Sequence, residues 1–451
     1  MKKILWFRRD LRIEDNLILS YGGEVLPIFI FDTQILQDLS KEDKRLSLIF
    51  AYVLELKERL KAKDLDLKIF YADPLDLFSK LVEEGYSEVL ASGDYDSYAK
   101  ERDRAVSHKL RFRYLHDTYI FRPDEVLKED KTPYLVFTPF YKKARQLLEN
   151  KDLSASVFSP SKLQKSSFET ITALAKDGTS KELPIALESI GFKAQDLKVK
   201  PAHKLLENFL PKLQEYTQKR DYLNEEATSA LSVALRFGTI SVREILRQVL
   251  PLRESESFVR QLIFRDFYAS MLFHFPSMQT HNYKYTFNGI QDLDRFERFC
   301  EAKTGVPIVD AGVKELLCSG NMHNRVRMIV ASFFTKDLLL PWQWGESFFA
   351  MHLLDYDAAS NILSWQWSAG TGVDPQPYFR VFNPYLQSKK FDKDALYIKK
   401  HLPQLAHIEA KQLHNEEYLL HTDIANYVKP IVVHKEAAKQ AIESFKQGMR
   451  E

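Results

Sequence analysis

Short apolar segments alternate with amphipathic stretches through the first third of the chain. Four segments have the length and apolar content of buried parallel strands, namely Lys3–Phe7, Val25–Phe31, Leu67–Tyr71 and Glu88–Ala91. The stretches between and after them repeat apolar residues with helical spacing, near Asp43–Lys63, Pro74–Glu84 and Ser97–Lys109. Leu110–Phe121 adds a further strand. This alternation predicts an α/β domain built on a doubly wound, Rossmann-like parallel sheet.

The hydrophobic pattern changes twice further along the chain. From about Asn150 to Pro201 it weakens, and Ser, Lys and Pro become frequent, which is typical of a long surface connection. From Ala202 onward the periodicity is helical, without evident strands. We therefore predict an α/β domain over residues 1–130, an inter-domain linker over 131–201 and an all-α domain over 202–451.

The composition is that of an ordinary globular protein and argues against several classes of site. The 451 residues carry a net charge of +2, which neither requires nor excludes nucleic acid as a partner. Only Cys300 and Cys318 are present, and the twelve histidines form no HExxH motif, so we expect no disulfide scaffold and no metal site. The amino terminus does not resemble a signal peptide and no segment is typical of a membrane span, so we expect a cytoplasmic protein.

Four of the five tryptophans lie in two identical Trp-Gln-Trp triplets, at 342–344 and 365–367. Asp357, Asn361 and Trp365 follow each other at intervals of four residues, so on a helix a carboxylate, an amide and an indole share one face. That combination suits the wall of a site for a flat, polar, redox-active ligand. Ordinary packing is the alternative, because aromatic side chains dominate protein cores.

A second polar–aromatic face with helical spacing is formed by Gln261, Phe264, Arg265 and Tyr268. Such a face suits the wall of a ligand pocket, in which an apolar surface carries a few polar groups. A core face with a snorkelling arginine explains the same pattern. The segment alone favours neither alternative.

The segment GNMHNRVRMIVASFF (320–334) carries a third candidate face. Asn324, Arg327 and Met328 share one side of a helix at their spacing, whereas Arg325 projects elsewhere and could meet a phosphate. Two arginines beside an apolar run are also typical of a plain helix boundary.

Hydroxyl side chains gather just before a predicted helix in ATSALSVALRFG (227–238), downstream of Tyr216 and Arg220. Thr228, Ser229 and Ser232, together with the backbone N–H groups of a helix start, have the chemistry of an anion site. A simple N-cap is the alternative and the commoner use of Ser and Thr.

Six motifs, in order along essentially the whole chain, resemble the photolyase/cryptochrome family, and within it the class I cyclobutane pyrimidine dimer photolyases. They are WFRRDLRIEDN (6–16), KTGVPIVDAGVKEL (303–316), MHNRVRMIVASFFTKDLLL (322–340), DYDAASNILSWQW (355–367), YFRVFNP (378–384) and KPIVVHKEA (429–437). The resemblance implies an N-terminal α/β domain and a C-terminal helical domain that holds a U-shaped FAD. It also implies a carbon–carbon lyase, the deoxyribodipyrimidine photo-lyase, that acts as a monomer on UV-damaged DNA.

Carried over position by position, the resemblance assigns three sets of residues. The FAD-binding set is Tyr216, Thr228, Ser229, Leu231, Ser232, Arg265, Arg327, Asp355, Asp357 and Asn361. The catalytic set is Trp342, Trp365, Asn361, Gln261, Asn324, Met328 and Trp367. The DNA-binding set is Arg220, Gln261, Phe264, Asn324, Arg325, Trp367 and Gln387.

The implied mechanism is driven by light. Excited, fully reduced FAD gives an electron to the dimer, the cyclobutane bonds split, and the electron returns. The protein flips the damaged bases out of the duplex and stabilises the transient charge. Trp365 would be the flavin-proximal electron donor and Trp342 the next, Asn361 would face the flavin N5, Trp367 would stack on the flipped bases, and Trp344 is assigned to packing.

Two pocket positions depart from the family pattern. Gln261 stands where dimer photolyases have glutamate, and an amide donates hydrogen bonds but does not transfer a proton as a carboxylic acid does. This glutamine resembles (6-4) photolyases and animal cryptochromes, whereas Asn324 and Met328 resemble dimer photolyases. Phe264 replaces a tryptophan and offers less stacking area. A photolyase of altered lesion specificity and a cryptochrome-like blue-light receptor are therefore the alternatives to dimer repair.

The electron-transfer chain and the antenna depart from the pattern as well. The segment FNGIQDLD (287–294) holds no tryptophan for the outermost position of the chain, for which Tyr283 and Tyr285 are candidate replacements. Asp96 stands at the glutamate position of folate-binding members, and Thr280 at the position of a lysine that helps to hold the folate. A folate, a deazaflavin, another flavin and no antenna all fit this pattern.

Overall fold

The computed structural model describes residues 2–162, 167–197, 200–285, 287 and 289–448. Its strands are β1 (Lys2–Phe7), β2 (Gly23–Asp32), β3 (Lys68–Ala72), β4 (Tyr86–Ser92), β5 (Arg111–Leu115), β6 (Pro160–Lys162), β7 (Thr170–Leu174) and β8 (Ser180–Pro184). They form one sheet in the order β5-β4-β1-β2-β3-β7-β8, with β6 paired to β2. β7 and β8 pair antiparallel, and the other pairs are parallel. The predicted doubly wound parallel sheet is confirmed.

The described helices are α1 (Thr33–Leu36), α2 (Lys44–Lys61), α3 (Pro74–Glu83), α4 (Ser97–Ser107), α5 (Phe137–Glu149), α6 (Ala202–Phe209), α7 (Leu213–Lys219), α8 (Ser232–Phe237), α9 (Val242–Val249), α10 (Glu256–His274), α11 (Leu293–Cys300), α12 (Pro307–Ser319), α13 (Asn324–Ser332), α14 (Trp342–His352), α15 (Ala358–Ala369), α16 (Pro384–Phe391), α17 (Leu396–His401), α18 (Ala410–Leu413), α19 (Glu416–His421) and α20 (His434–Gly448). A π-helical turn covers Phe333–Asp337. The helical character predicted from Ala202 onward is confirmed. Across the described ranges, no helix is both long enough and apolar enough to cross a membrane.

The central strands of the sheet are apolar on both sides because helices cover both faces. In β2, the eight residues from Val25 to Asp32 are all buried. The ring of Trp6 on β1 packs against Phe78 of α3, with 5.0 Å between the centroids. α3 begins where the Asp73 side chain accepts the backbone N–H of Leu75, a standard N-cap.

The segment predicted as a long surface connection contains β6, β7 and β8, strands that its sequence pattern did not indicate. β7 pairs with β3, and β8 pairs with β7 at the edge of the sheet. Four of the five residues of β8 are exposed, so its sequence shows no apolar run. Charged and polar residues are a common protection of edge strands, and they hide such strands from a hydrophobicity pattern. Residues 163–166, within the same segment, lie outside the described residues.

By contacts the chain divides into two compact units. The first unit comprises Met1–Pro133, Pro139–Pro211 and Ser229–His274, and the second comprises Tyr134–Thr138, Lys212–Thr228 and Phe275–Glu451. The first unit therefore includes α8, α9 and α10 as well as the sheet. This division does not follow the predicted domain boundaries at 130 and 201. Those boundaries stay a prediction.

The WFRRDLRIEDN motif forms part of a buried ion-pair cluster in the first unit. Arg243 of α9 pairs with Asp15 at 2.8 Å and with Asp117 at 2.7 Å. Arg12 of the motif pairs with the same Asp117. Buried charges are tolerated only when they are paired in this way. The cluster therefore fixes α9 to the chain that follows β1, a structural role for the motif.

Candidate functional site

Trp365 lies inside the second unit, on α15, with 2% of its surface exposed. Its ring is held between Phe334 and Phe349, at centroid distances of 5.3 and 4.9 Å and in nearly perpendicular orientations. Asp357 is the N-cap of α15, and Asn361 lies one turn further on with 8% exposure. The helix expected from the four-residue spacing is therefore present. Asp357 stands at its start rather than within it.

Gly345 of α14 provides the space that the Trp365 ring occupies. A Cβ atom at this position would lie 2.2 Å from Cη2 and 2.4 Å from Cζ3 of the ring. No such contact is sterically acceptable, so the close approach of ring and helix backbone requires glycine. The sequence signal was a glycine inside a helical pattern, directly after the first triplet.

Glu346 contacts Asn361, a predicted site residue, and was not itself predicted from the sequence. The Asn361 Nδ2 donates to the backbone carbonyl of Glu346 at 3.1 Å and to its Oε1 at 3.0 Å. The Tyr356 hydroxyl donates to the same Oε1 at 3.3 Å. Burial raises the pKa of the Glu346 carboxyl group above its ordinary value, while these two hydrogen bonds oppose the rise. The carboxyl group and the backbone carbonyl of Glu346 thus hold the Asn361 amide in one orientation.

Arg327 and Asp355 form the ion pair that the family resemblance implies. The Arg327 Nη2 lies 2.9 Å from the Asp355 Oδ2, and the Arg327 Nε donates to the carbonyl of Met322 at 2.8 Å. Among the described residues, the Asp355 Oδ1 is buried without a hydrogen-bond partner. A buried carboxylate oxygen without a partner is costly, so this atom is available to a donor from a bound group.

The first triplet contributes one buried and one half-buried indole. Trp342 is 3% exposed, and its Nε1 donates to the Asn282 Oδ1 at 2.7 Å. Trp344 is half-buried and packs against Phe296, with 5.2 Å between the centroids. The two tryptophans of this triplet thus differ in their access to solvent although they are only two residues apart.

Three residues assigned to the lesion pocket lie in the second unit. Trp367 is half-buried on α15, and Asn324 is exposed in the first turn of α13. The Asn324 Nδ2 lies 3.8 Å from the Met328 Sδ, a weak interaction that places the two side chains together. An exposed amide, a thioether and a flat indole are therefore all presented by this unit.

Two arginines assigned to DNA already have partners in the second unit. The Arg325 Nη2 donates to the Asp221 Oδ2 at 2.6 Å, and its guanidinium lies 4.4 Å from the centroid of Phe391. The Arg220 guanidinium lies over the ring of the buried Tyr216, 5.5 Å from its centroid. Gln387, on α16, is half-buried.

Helix α10 of the first unit carries the second polar–aromatic face. The Arg265 guanidinium donates to the carbonyls of Thr118 at 2.6 Å and Leu235 at 3.2 Å, and it lies over the ring of Tyr119. Phe264 contacts Tyr268 edge-to-face. Gln261 and Phe264 are both half-buried. Arg265 is thus tied to the backbone of its own unit, while the amide and the phenyl ring of this face remain partly accessible.

The hydroxyl-rich segment forms an irregular turn before α8. Thr228 is exposed at the end of its stretch in the second unit. In the first unit, the Leu231 N–H donates to the Ser229 Oγ at 3.4 Å. The residue between them, Ala230, has a φ of 53°. Ser232 is exposed at the start of α8. Leu231, the residue before α8, makes no side-chain cap. The turn therefore keeps hydroxyl and backbone donors near a helix start.

Two residues considered for the antenna have local structural partners. Asp96 is the N-cap of α4 and accepts the backbone N–H of Ala99 at 2.8 Å. The Thr280 Oγ1 lies 2.8 Å from the His281 Nδ1.

The sequence and the fold both match a known family. The family model described as DNA photolyase matches residues 3–159, and the model described as FAD binding domain of DNA photolyase matches residues 258–447. A protein of Alkalihalophilus pseudofirmus named Deoxyribodipyrimidine photo-lyase is 34% identical, over 98% of this chain and 98% of its own length. The chain belongs to the photolyase/cryptochrome family. The prediction drawn from the six motifs is therefore confirmed.

Solved structures of photolyases share the fold along the whole chain. A bacterial class III photolyase from Agrobacterium tumefaciens has a TM-score of 0.83 and 28% identity, covering 100% of this chain and 98% of its own. An archaeal photolyase from Sulfolobus tokodaii, solved with two FAD molecules, has a TM-score of 0.82 and 28% identity, covering 99% and 100%. The similarity to proteins named photo-lyase and the match to the FAD-binding domain model identify the chain as a photo-lyase enzyme and as a flavoprotein whose cofactor is FAD.

The residues of the second unit fit a flavin. The Asp355 Oδ1 is a buried acceptor without a described partner, next to the cationic Arg327. Asn361 and Trp365 are buried on one face of α15. An isoalloxazine ring combines ring N–H and carbonyl groups with a flat aromatic surface, and an acceptor, an amide and an indole complement those features.

Proposed function

We propose that the protein repairs cyclobutane pyrimidine dimers in UV-damaged DNA by light-driven electron transfer. The observation that carries this proposal is the full-length similarity to a protein named Deoxyribodipyrimidine photo-lyase. Trp365 and Asn361, the residues that the resemblance assigns to the electron donor and the flavin contact, are buried side by side on α15. We further propose that the protein acts as a monomer.

We propose that the FAD-binding residues are those assigned by resemblance. Tyr216, Thr228, Ser229, Leu231 and Ser232 would supply donors to the phosphates, as hydroxyls and backbone N–H groups at a helix start do. Arg265, Arg327, Asp355, Asp357 and Asn361 would hold the rest of the cofactor. Bound FAD supplies light absorption and a transferable electron. The contribution of the chain is to bind and orient, with the amide of Asn361 fixed by Glu346.

Lesion recognition would fall to the exposed polar and aromatic groups. A dimer must leave the base stack to reach a buried donor, and Trp367 offers the flipped bases a half-exposed indole face. The exposed amide of Asn324 can donate to a pyrimidine carbonyl, and Met328 can pack beside it. These groups stabilise charge on the dimer without transferring a proton.

We propose that DNA contacts involve Arg220, Arg325, Gln387 and Phe264. Arg325 is paired with Asp221, so its guanidinium is held in position before DNA binds. The phosphate contact must therefore add to the ion pair or replace it. Replacement of Arg325 by Gln would weaken binding of damaged and undamaged DNA alike, since phosphate contacts carry no sequence information.

Gln261 favours a second candidate function, repair of a different lesion. Its amide replaces the carboxylic acid that the family pattern places in dimer photolyases, so one proton donor is missing. We expect Gln261→Glu to raise the rate of dimer repair severalfold, measured as dimers lost per unit of absorbed light. Gln261→Met, which keeps the length but removes the hydrogen bonds, is the matched control and should lower it.

The test uses the protein with bound, chemically reduced FAD. An oligonucleotide with one thymine dimer is mixed with it and illuminated with blue light, and an oligonucleotide with a (6-4) photoproduct is treated in parallel. Loss of the thymine dimer in light and not in darkness supports the proposal. Repair of only the (6-4) product would favour the second candidate. Repair of neither, with FAD bound, would overturn both and favour a light receptor.

A further inference from the structure

The electron-transfer chain inferred above ends without a described surface tryptophan at its family position. Residues 287 and 289–294 of the described segment contain none. Trp365 and Trp342 are 2% and 3% exposed, so neither exchanges electrons readily with a reductant in solution. Photoreduction of FAD through Trp365, which is part of the proposed function, requires a more accessible donor.

Trp344 is joined to Trp365 by a row of contacting aromatic rings in the second unit. The Trp365 ring contacts Phe334 at 5.3 Å between centroids, Phe334 contacts Phe296 at 6.1 Å, and Phe296 contacts Trp344 at 5.2 Å. Phenylalanine is too hard to oxidise to hold the charge itself. Close packing nevertheless provides a continuous medium for electron tunnelling, which weakens steeply across gaps.

A second, shorter connection runs through the backbone of α14. The Trp365 ring lies so close to Gly345 that a Cβ there would be 2.2 Å from Cη2. Gly345 is bonded directly to Trp344, so one peptide unit separates the contact point from the Cα of Trp344. The glycine that admits the Trp365 ring therefore also brings it into electronic contact with its neighbour in the chain.

Trp344 also has the environment that a terminal donor needs. It is half-buried, so water can take the indole N–H proton after oxidation and a small reductant can approach. We propose that Trp344 is the solvent-side electron donor of FAD photoreduction, in place of the missing outer tryptophan. The packing role first assigned to this residue does not exclude that function, because its contact with Phe296 is the path itself.

The step balances for one electron. With FAD bound, Trp365 would give one electron to the light-excited, oxidised cofactor and would recover it from Trp344, directly or by way of Trp342. The oxidised indole of Trp344 loses its N–H proton to water. An external thiol then gives one electron and one proton to the indole, and two oxidised thiols combine to a disulfide.

The rival donors are Tyr283 and Tyr285, which follow Asn282, the hydrogen-bond partner of Trp342. Tyr285 is 46% exposed, and its carbonyl accepts a hydrogen bond from the Asn282 Nδ2 at 3.1 Å. Tyr283 contacts Phe275 at 5.2 Å. Access alone therefore does not decide between tyrosine and tryptophan, and the experiment must compare them directly.

The experiment measures photoreduction of oxidised, FAD-loaded protein under blue light with a thiol. Trp344→Phe should slow it by about tenfold or more, while Tyr283→Phe and Tyr285→Phe should stay close to the unaltered protein. Transient spectra of the unaltered protein should show a tryptophan radical, not a tyrosine radical, as the longest-lived oxidised residue. An unchanged rate in Trp344→Phe, or loss of the rate only in a tyrosine variant, overturns the proposal.

Two further measurements separate the loss of electron donation by Trp344 from a variant that merely fails to fold or to function. Repair by chemically reduced protein bypasses photoreduction, so a Trp344→Phe protein that repairs dimers but photoreduces slowly isolates the role of Trp344. The unaltered protein, illuminated in air without thiol, should accumulate oxidation at Trp344 in peptide mass spectra, a result that needs no variant to fold. Oxidation at Tyr283 or Tyr285 instead contradicts the proposal.

Discussion

The two Trp-Gln-Trp triplets have the same sequence and helical conformation but different surroundings. In both, the first tryptophan is buried and the third is half-buried, because residues two apart on a helix point to different sides. The first triplet starts α14, whereas the second lies in the last turns of α15. The local pattern therefore fixes which indole faces inward. The rest of the unit determines what each indole contacts.

The middle glutamines show the difference most clearly. Gln366 is fully buried, its Nε2 donates to the carbonyls of Met278 and His281 at 2.7 and 3.0 Å, and its Oε1 accepts the Tyr283 N–H at 3.3 Å. Gln343 is half-buried and donates to the Thr280 carbonyl at 3.4 Å. Both glutamines thus hold the same segment, but only Gln366 does so from the interior.

The largest effect is expected where the two triplet helices meet, at Gly345. Gly345→Ala adds a methyl group at the position of the Trp365 ring, so ring or helix must move. We expect a loss of about 3 kcal/mol of unfolding free energy, although alanine usually stabilises a helix, and slower photoreduction. Urea unfolding measures the first effect, and Ser347→Ala on the exposed side of α14 is the control. Unchanged stability would mean that Trp365 does not occupy this space.

The next effect distinguishes the glutamines. Gln366→Met keeps the approximate size but removes the partner of two carbonyls and one N–H, of which the Met278 carbonyl is buried, so we expect a loss of about 2 kcal/mol. Gln343→Met is the matched variant and should change stability by less than about 0.5 kcal/mol. Thermal unfolding of both proteins tests the contrast. Equal losses would show that the two triplets hold the segment equally.

The smallest effect concerns Lys336, which supports the end of the second triplet's helix. Its ammonium donates to the Ala369 carbonyl at 2.7 Å and lies 3.6 Å from the Phe445 centroid. Burial lowers the pKa of Lys336 from 10.5 to about 7. The unfolded state therefore binds more protons between these values, and this group makes stability rise with pH from about 7 to 10.5.

Lys336→Met removes that dependence. We expect the variant to be more stable than the unaltered protein at pH 6, by about 1 kcal/mol, because the lost cation–π contact and hydrogen bond offset part of the relieved desolvation. The difference should shrink by pH 10. Lys389→Met, at an exposed position, is the control. A difference that stays constant from pH 6 to pH 10 would show that the buried lysine keeps its charge over this range.

The sheet could be predicted from sequence because its central strands are apolar runs buried on both faces. β8 could not, since this exposed edge strand carries polar residues that resemble a loop. β7 lies between β3 and β8 but is only five residues long, too short to stand out from the polar sequence around it. The assignment of 229–274 to the first unit was also out of reach. It depends on long-range contacts such as Arg243 with Asp15, which leave no periodic signal.

Some features of the candidate site could likewise be predicted from the sequence, and others could not. The shared face of Asn361 and Trp365 followed from spacing, and the Arg327–Asp355 pair followed from family resemblance. Glu346 and Gly345 were missed because their importance lies in what approaches them from α15, not in their own neighbours along the chain. The assignment to class I, and the roles of the individual site residues, stay predictions.

The proposed function requires that light and reduced FAD in this protein split thymine dimers. The decisive experiment counts dimers in a single-lesion oligonucleotide after one blue-light flash of the chemically reduced protein. The concentrations are chosen so that more of the protein is bound to the lesion than is free. We expect fewer dimers after the flash and none lost in darkness, in the unaltered protein and in Trp344→Phe alike. An unchanged number of dimers after the flash, with FAD and DNA both bound, would contradict it.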